Sequence, residues 1–154
     1  MALLSDDETA RLRELLAGEL SADVTLVHYT RRGVAAADGE PGVGECASCA
    51  DTEALLAELC ATSEHLKLEV HDVDAEPDLA RGAGIELVPA VVLKGSGARG
   101  AVRLFGLPSG YEFASLLGDV IDVAAARDEL SAETHAVLDA LPRDVHLQVF
   151  VTPT

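Results

Sequence analysis

The sequence predicts an α/β fold, a central mixed sheet flanked by helices. Three observations carry that expectation. Stretches of helical period alternate with short β-rich runs along the chain. Two cysteines, Cys46 and Cys49, stand where one such run and its loop give way to a helical stretch. A Val88-Pro89 dipeptide leads directly into the apolar run Ala90-Val91-Val92-Leu93.

The elements follow in order. Ser5 is a good N-cap, and Glu8 stands three residues on, where a capping box wants a carboxylate. Leu12, Leu15, Leu16 and Leu20 then recur at helical spacing, which predicts a helix with one buried face. Residues 22–29 are rich in β-formers and predict a strand. Residues 32–45 carry Gly, Ala, acidic residues and one proline without periodicity, and predict a loop. Cys46-Ala47-Ser48-Cys49 ends that loop and opens a second helix, whose apolar stripe is Leu55, Leu56, Leu59 and Cys60.

Residues 66–73 alternate apolar and polar and predict a half-buried strand. Glu76-Pro77-Asp78 starts a short helix that ends near 82–84, and residues 90–93 predict a buried strand. Ser96-Gly97 is a turn, and residues 101–105 are the strand that returns from it. The last helix of the unit follows Gly110, with Phe113, Leu116, Leu117, Val120 and Ile121 on one side. From residue 22 the order is β-α-β-α-β-β-α, preceded by a helix. That is the element order of a thioredoxin-like fold with an N-terminal extension.

The last quarter of the chain repeats the first. Leu4-Ser5 before Glu8-Thr9 reappears as Leu130-Ser131 before Glu133-Thr134, and Asp23-Val24-Thr25-Leu26 as Asp144-Val145-His146-Leu147. The expected organisation is a thioredoxin-like domain over 1–122. Residues 123–154 are then a helix plus a strand, the start of an incomplete second unit. The strand expected over 145–151 is apolar and needs a partner, either the first unit's sheet or a second copy in a homodimer.

Composition narrows the function classes. The chain has 154 residues and a formal net charge of −16, with two lysines and nine arginines. Nothing in that balance neutralises phosphates, so neither nucleic acid nor an anionic membrane is an expected partner. Residues 1–7 have neither a basic region nor a hydrophobic signal core, and the expected location is cytoplasmic. Three cysteines without a signal peptide do not make a secreted disulfide framework. In a reducing compartment a Cys-x-x-Cys pair is catalytic or metal-binding.

The redox reading is favoured. A thiolate is the attacking species in disulfide exchange, and the start of a helix favours negative charge there. The second thiol, about one turn away, closes a disulfide by attacking the mixed-disulfide intermediate. Cys46 is thus the expected nucleophile and Cys49 the resolving thiol, the more buried of the two. A zinc site needs about four ligands, and no further Cys or His stands at ligand spacing, so no metal is expected. Nor is any cofactor expected beyond the Cys46-Cys49 disulfide itself. Cys60 reads as a core thiol. Val88-Pro89 is expected to hold a cis bond facing the cysteines, with the backbone of Val88 open to an extended substrate segment. Glu45, Asp51 and Glu53 oppose the helix dipole at the thiols, and the balance of those effects sets the redox strength.

A resemblance adds to this. Residues 73–80 and 84–89 look like the middle of many thioredoxins. The Leu3-Leu4-Ser5 start, the run from Phe105 to Phe113 and the ending Val149-Phe150-Val151-Thr152-Pro153-Thr154 are more specific. Together they resemble the two-unit protein disulfide oxidoreductases of archaea and bacteria, also called glutaredoxin-like domain proteins. The resemblance spans nearly all of the chain and implies an N-terminal unit plus the first helix and strand of a second, which in that family carries its own Cys-x-x-Cys. Two features depart from the family: a longer loop over 33–45, and Ala47-Ser48 without the usual aromatic. The implied activity is dithiol-disulfide exchange with protein disulfides, with a thioredoxin reductase-like flavoprotein as electron source. An electron relay between a flavoprotein reductase and a peroxiredoxin is the alternative, since the paired units at the front of the alkyl hydroperoxide reductase flavoprotein look similar. A redox-inert binding module is the third reading.

Overall fold

The computed structural model describes residues 3–33, 46–98 and 100–150. The long acidic loop expected over 32–45 therefore lies almost wholly outside the described residues.

Helix α1 spans Asp6–Glu19. Its start is the reciprocal capping box read in the sequence: the Glu8 N–H donates to Ser5 Oγ at 3.3 Å, and the Ser5 N–H donates to the Glu8 carboxylate at 2.8 Å. Leu12, Leu16 and Leu20 are buried, whereas Leu15 is exposed. It lies one position off the inward stripe, so that expectation is corrected.

Strand β1 (Val24–Thr30) is central to a four-stranded sheet of order β2-β1-β3-β4. It pairs in parallel with β2 (Leu66–Asp72) and antiparallel with β3 (Ala90–Gly95). β4 (Val102–Phe105) pairs antiparallel with β3. The two inner strands are covered on both faces, which is why they read as near-continuous apolar runs. The outer strands β2 and β4 alternate, with Lys67, Glu69 and Arg103 set among apolar residues.

Helix α2 (Cys49–Cys60) and helix α4 (Tyr111–Ala125) share one face of the sheet with α1. Val24, Leu26, Leu56, Leu59, Val91, Leu93, Leu116 and Val120 pack there with almost no exposure. Helix α3 (Pro77–Gly82) covers the other face, over Val27, Tyr29, Ala90 and Val92. At Gly95 a Cβ would stand 2.8 Å from the Val123 carbonyl oxygen, so only glycine lets β3 and α4 meet there.

Helix α5 (Ala132–Asp139) repeats the N-terminal cap: the Thr134 N–H donates to Ser131 Oγ at 3.1 Å. No residue of α5 is buried. The strand expected over 145–151 is not formed at residues 145–150, which adopt no regular structure and are exposed, Leu147 by 85% and Phe150 by 89%. The physical reason is the absence of a ladder. A strand needs a neighbour to pair its N–H and C=O groups, and none of the four strands pairs with this segment. Among the described residues, no helix is long and apolar enough to cross a membrane.

Candidate functional site

Cys46 and Cys49 are joined in a disulfide with their Cα atoms 5.4 Å apart. The Cys49 N–H donates to the Cys46 carbonyl at 3.3 Å, and Ser48 is the N-cap of α2. The helix thus opens at the second cysteine, and Cys46 lies in the turn before it. The sequence predicts that the helix opens with the whole Cys46-Ala47-Ser48-Cys49 motif, so its start is corrected to Cys49. Thr52 locks this start, its N–H and hydroxyl both donating to the Ser48 carbonyl, at 3.0 and 2.8 Å. The unpaired N–H groups of the first turn and the helix dipole favour a thiolate in this position. Asp51 adds opposing charge in that turn, and Glu53 stands 3.8 Å from Arg32. Glu45 lies outside the described residues.

Exposure separates the two sulfurs. Cys46 is half-buried, and Cys49 is 3% exposed. Of the two sulfurs, the one nearer the surface therefore belongs to Cys46. Cys60, at the far end of α2, is free and packs against the core; burial pushes its thiol up to about 11.

The second part of the site comes from β3. The Tyr29↔Ala90 pairing sets the start of β3 beside the end of β1, the strand that runs toward the cysteines. Val88–Pro89, immediately before β3, is a cis peptide bond. Pro89 is buried, and its carbonyl accepts from the Gly106 N–H at 2.9 Å. Among the described residues, no backbone group pairs with the N–H or C=O of Val88. Leu87, just before it, is 68% exposed.

One residue of this region was missed from the sequence. His28, on β1, is fully buried. Its Nδ1 is 3.3 Å from the Ala90 carbonyl oxygen, and its ring also lies by the backbone of Cys49. Desolvation holds its pKa below the ordinary value, with the Ala90 and Cys49 backbones working the other way. A histidine set among the apolar and β-branched residues of the strand predicted over 22–29 was the available signal.

Among the described residues no group of three or more His, Cys, Asp or Glu is placed to hold a metal. A cavity of about 770 Å³ opens at the opposite end of β3, between the β3–β4 turn, the end of α4 and α5, and none of the site residues lines it.

The sequence matches the model of the family described as Thioredoxin domain over residues 42–118. Among solved structures, the chain is similar to a protein disulfide oxidoreductase from Aeropyrum pernix K1, with 25% identity and a TM-score of 0.72, over 89% of this chain and 55% of that one. It is also similar to the NTD_N/C domain of the alkylhydroperoxide reductase AhpF from Enterococcus faecalis (V583), with 26% identity and a TM-score of 0.66, over 91% of this chain and 62% of that one. The chain thus spans between half and two thirds of the length of these structures. Comparison with curated proteins finds none that matches.

Proposed function

The chain belongs to the thioredoxin domain family, and on that premise we propose that it is a thiol-disulfide oxidoreductase that exchanges electrons with protein disulfides through Cys46 and Cys49. The observation that carries this is the bonded pair at the start of α2, with one sulfur accessible and the other buried. The likeness to a protein disulfide oxidoreductase supports it.

In the reducing direction the Cys46 thiolate attacks one sulfur of the substrate disulfide. A mixed disulfide forms and the other substrate sulfur leaves as a thiolate, to be protonated. The Cys49 thiol then loses its proton and attacks the Cys46 sulfur. The second substrate sulfur departs with its electron pair and takes up a proton. Two electrons pass from the cysteine pair to the substrate, and the Cys46–Cys49 disulfide is left. In this reading Val88 pairs through its open backbone with an extended segment of the substrate, in the manner of strand addition. A thioredoxin reductase-like flavoprotein returns the electrons, and the setting is the reducing cytoplasm.

Reduction of insulin by the dithiothreitol-recycled protein tests this, with Cys46→Ser beside the wild type. Turnover is expected to vanish in the variant, and equal rates would overturn the assignment. A second reading, an electron relay from a flavoprotein reductase to a peroxiredoxin, is favoured by the likeness to the AhpF domain. Delivery of electrons to a peroxiredoxin but not to insulin would select it.

A further inference from the structure

We infer that Arg103 is a positioning residue for protein substrates. It pins the start of the segment 84–88, whose far end offers the Val88 backbone. The inference rests on the redox reading above and deepens it.

Arg103 pairs across the sheet with Val92, which lies on the face that α3 covers. Cross-strand partners share a face, so the Arg103 side chain stands on the α3 side. It reaches the end of that helix, where its Nε–H donates to the Ala83 carbonyl at 2.7 Å. Ala83 is the C-cap of α3. A helix end leaves its last carbonyls without intrahelical donors, and among the described residues no backbone N–H donates to this one. Gly84 then turns the chain away with φ +71, and the guanidinium lies over it: a Cβ there would stand 3.7 Å from Arg103 Nε.

The segment that follows is held at both ends and open between them. At its start the Ile85 N–H donates to the Ala80 carbonyl at 2.9 Å, and the Ile85 side chain is buried. Beyond its end the Pro89 carbonyl accepts from the Gly106 N–H at 2.9 Å. Among the described residues Glu86, Leu87 and Val88 make no backbone hydrogen bond, and Glu86 and Leu87 are exposed. Arg103 belongs to β4, and Gly106 follows that strand directly. One strand therefore fixes where the open segment leaves α3 and where it enters β3.

That arrangement bears on binding. A segment that must align with an extended substrate loses conformational freedom in doing so, and a pinned one has lost part of it beforehand. Arg103 holds Ala83 and not a cysteine, so its effect falls on substrate association and leaves the thiol exchange as it is.

The test is the kinetics of insulin reduction, with dithiothreitol recycling, for Arg103→Met and Arg103→Gln beside the wild type. Gln carries an amide N–H as far along the side chain as Arg Nε and has no charge. Met keeps the length and has no donor. In Arg103→Met the KM for insulin is expected to rise about three- to tenfold at unchanged kcat, and in Arg103→Gln to stay within about twofold of wild type, the scale of one hydrogen bond lost or kept. Iodoacetamide labelling of Cys46 in the reduced protein is expected to be equal in all three. An unchanged KM in Arg103→Met, an equal rise in Arg103→Gln, or a fall in kcat or labelling rate in place of the KM rise would overturn this inference alone. A wild-type turnover that does not depend on Cys46 would overturn the redox reading and this inference with it. Proton exchange at the arginine Nε–H groups of the wild type, read by nitrogen-15 NMR, is independent of whether a variant folds. The Arg103 Nε–H is expected to exchange more slowly than that of Arg11, which meets Asp7 through Nη2. Equal rates would show that Ala83 is not held and would sink the proposal.

Discussion

The His28 ring reaches the carbonyl of Ala90 through Nδ1 at 3.3 Å, and so ties the strand that runs toward the cysteines to the strand that starts after Pro89. The two halves of the site are joined by a buried side chain as well as by the sheet ladder. An exposed link would be solvated at either charge state; a buried one is sensitive to protonation.

That link predicts a pH dependence of stability in two windows. The folded-state pKa of His28 is depressed below 6.5, so the unfolded chain takes up the proton first as pH falls. Its contribution is fully present above 6.5 and is lost as pH falls through the lower folded value. The Leu3 and Leu4 N–H groups hold the Glu58 carboxyl below its ordinary 4.5. Its contribution is present above 4.5 and is lost as pH falls through the depressed value. Thermal unfolding midpoints are expected to drop first below 6.5 and again below 4.5. His28→Asn is expected to flatten the first step and Glu58→Gln the second. A midpoint that stays constant from pH 7 to 5 contradicts the buried neutral imidazole.

Cys60 is expected to be chemically quiet. With its thiol pushed to about 11, only about 0.1% of it is thiolate at pH 8. Iodoacetamide added to the native reduced protein is expected to label Cys46 within minutes and leave Cys60 unmodified until denaturant is added. Peptide mass mapping reads the order, and labelling of Cys60 at the rate of Cys46 refutes it.

Glycines in α4 and against it are expected to respond with opposite signs. Gly95→Ala drives a Cβ to 2.7 Å from Val123 Cγ1 and 2.8 Å from its carbonyl oxygen, and destabilises by about 1–3 kcal/mol. Gly118, inside α4, has nothing within 4 Å of such a Cβ, and Gly118→Ala stabilises by about 1 kcal/mol through helix propensity. Urea unfolding of the two variants checks both, and a gain at Gly95 contradicts the packing described.

Core and tail are expected to differ as sharply. Leu56 is fully buried on α2, and Leu56→Ala costs about 2–5 kcal/mol. Leu147 is 85% exposed, and Leu147→Ala changes stability by less than about 0.5 kcal/mol. Equal shifts in the unfolding midpoint show that the tail is packed.

The sequence made the local rules legible, and the structure added what depends on distant partners. Ser5 with Glu8, and Ser131 with Thr134, are caps written within three residues, so they were readable directly. The order of elements followed from period, β-rich composition and turn residues, and the burial of the run at 90–93 from its unbroken apolar character. Leu15 shows the limit: its spacing fits a helix face, but the width of the buried stripe is set by what packs against it. The strand expected over 145–151 shows another, since β-rich composition supplies no ladder partner. Cys46 and Cys49 were found by spacing. His28 was not, because it stands far upstream of them, and the parallel and antiparallel pairings of β1 and the seating of α2 bring it beneath Cys49.

The pairing of β1 with β3 also governs when the protein can become itself. Val24 meets Gly95 and Tyr29 meets Ala90, so the innermost strand waits for a partner encoded far downstream. On a ribosome, α1, β1 and α2 emerge first with their apolar faces uncovered, and the βαβ half with β2 leaves one side of β1 open. Closing so long a loop is entropically costly before any contact repays it. The oxidation of Cys46 and Cys49 needs only the local turn before α2, whereas the Ala90 carbonyl reaches His28 only when β3 docks. The bond between the cysteines is thus available to the nascent chain earlier than the buried imidazole environment beneath it.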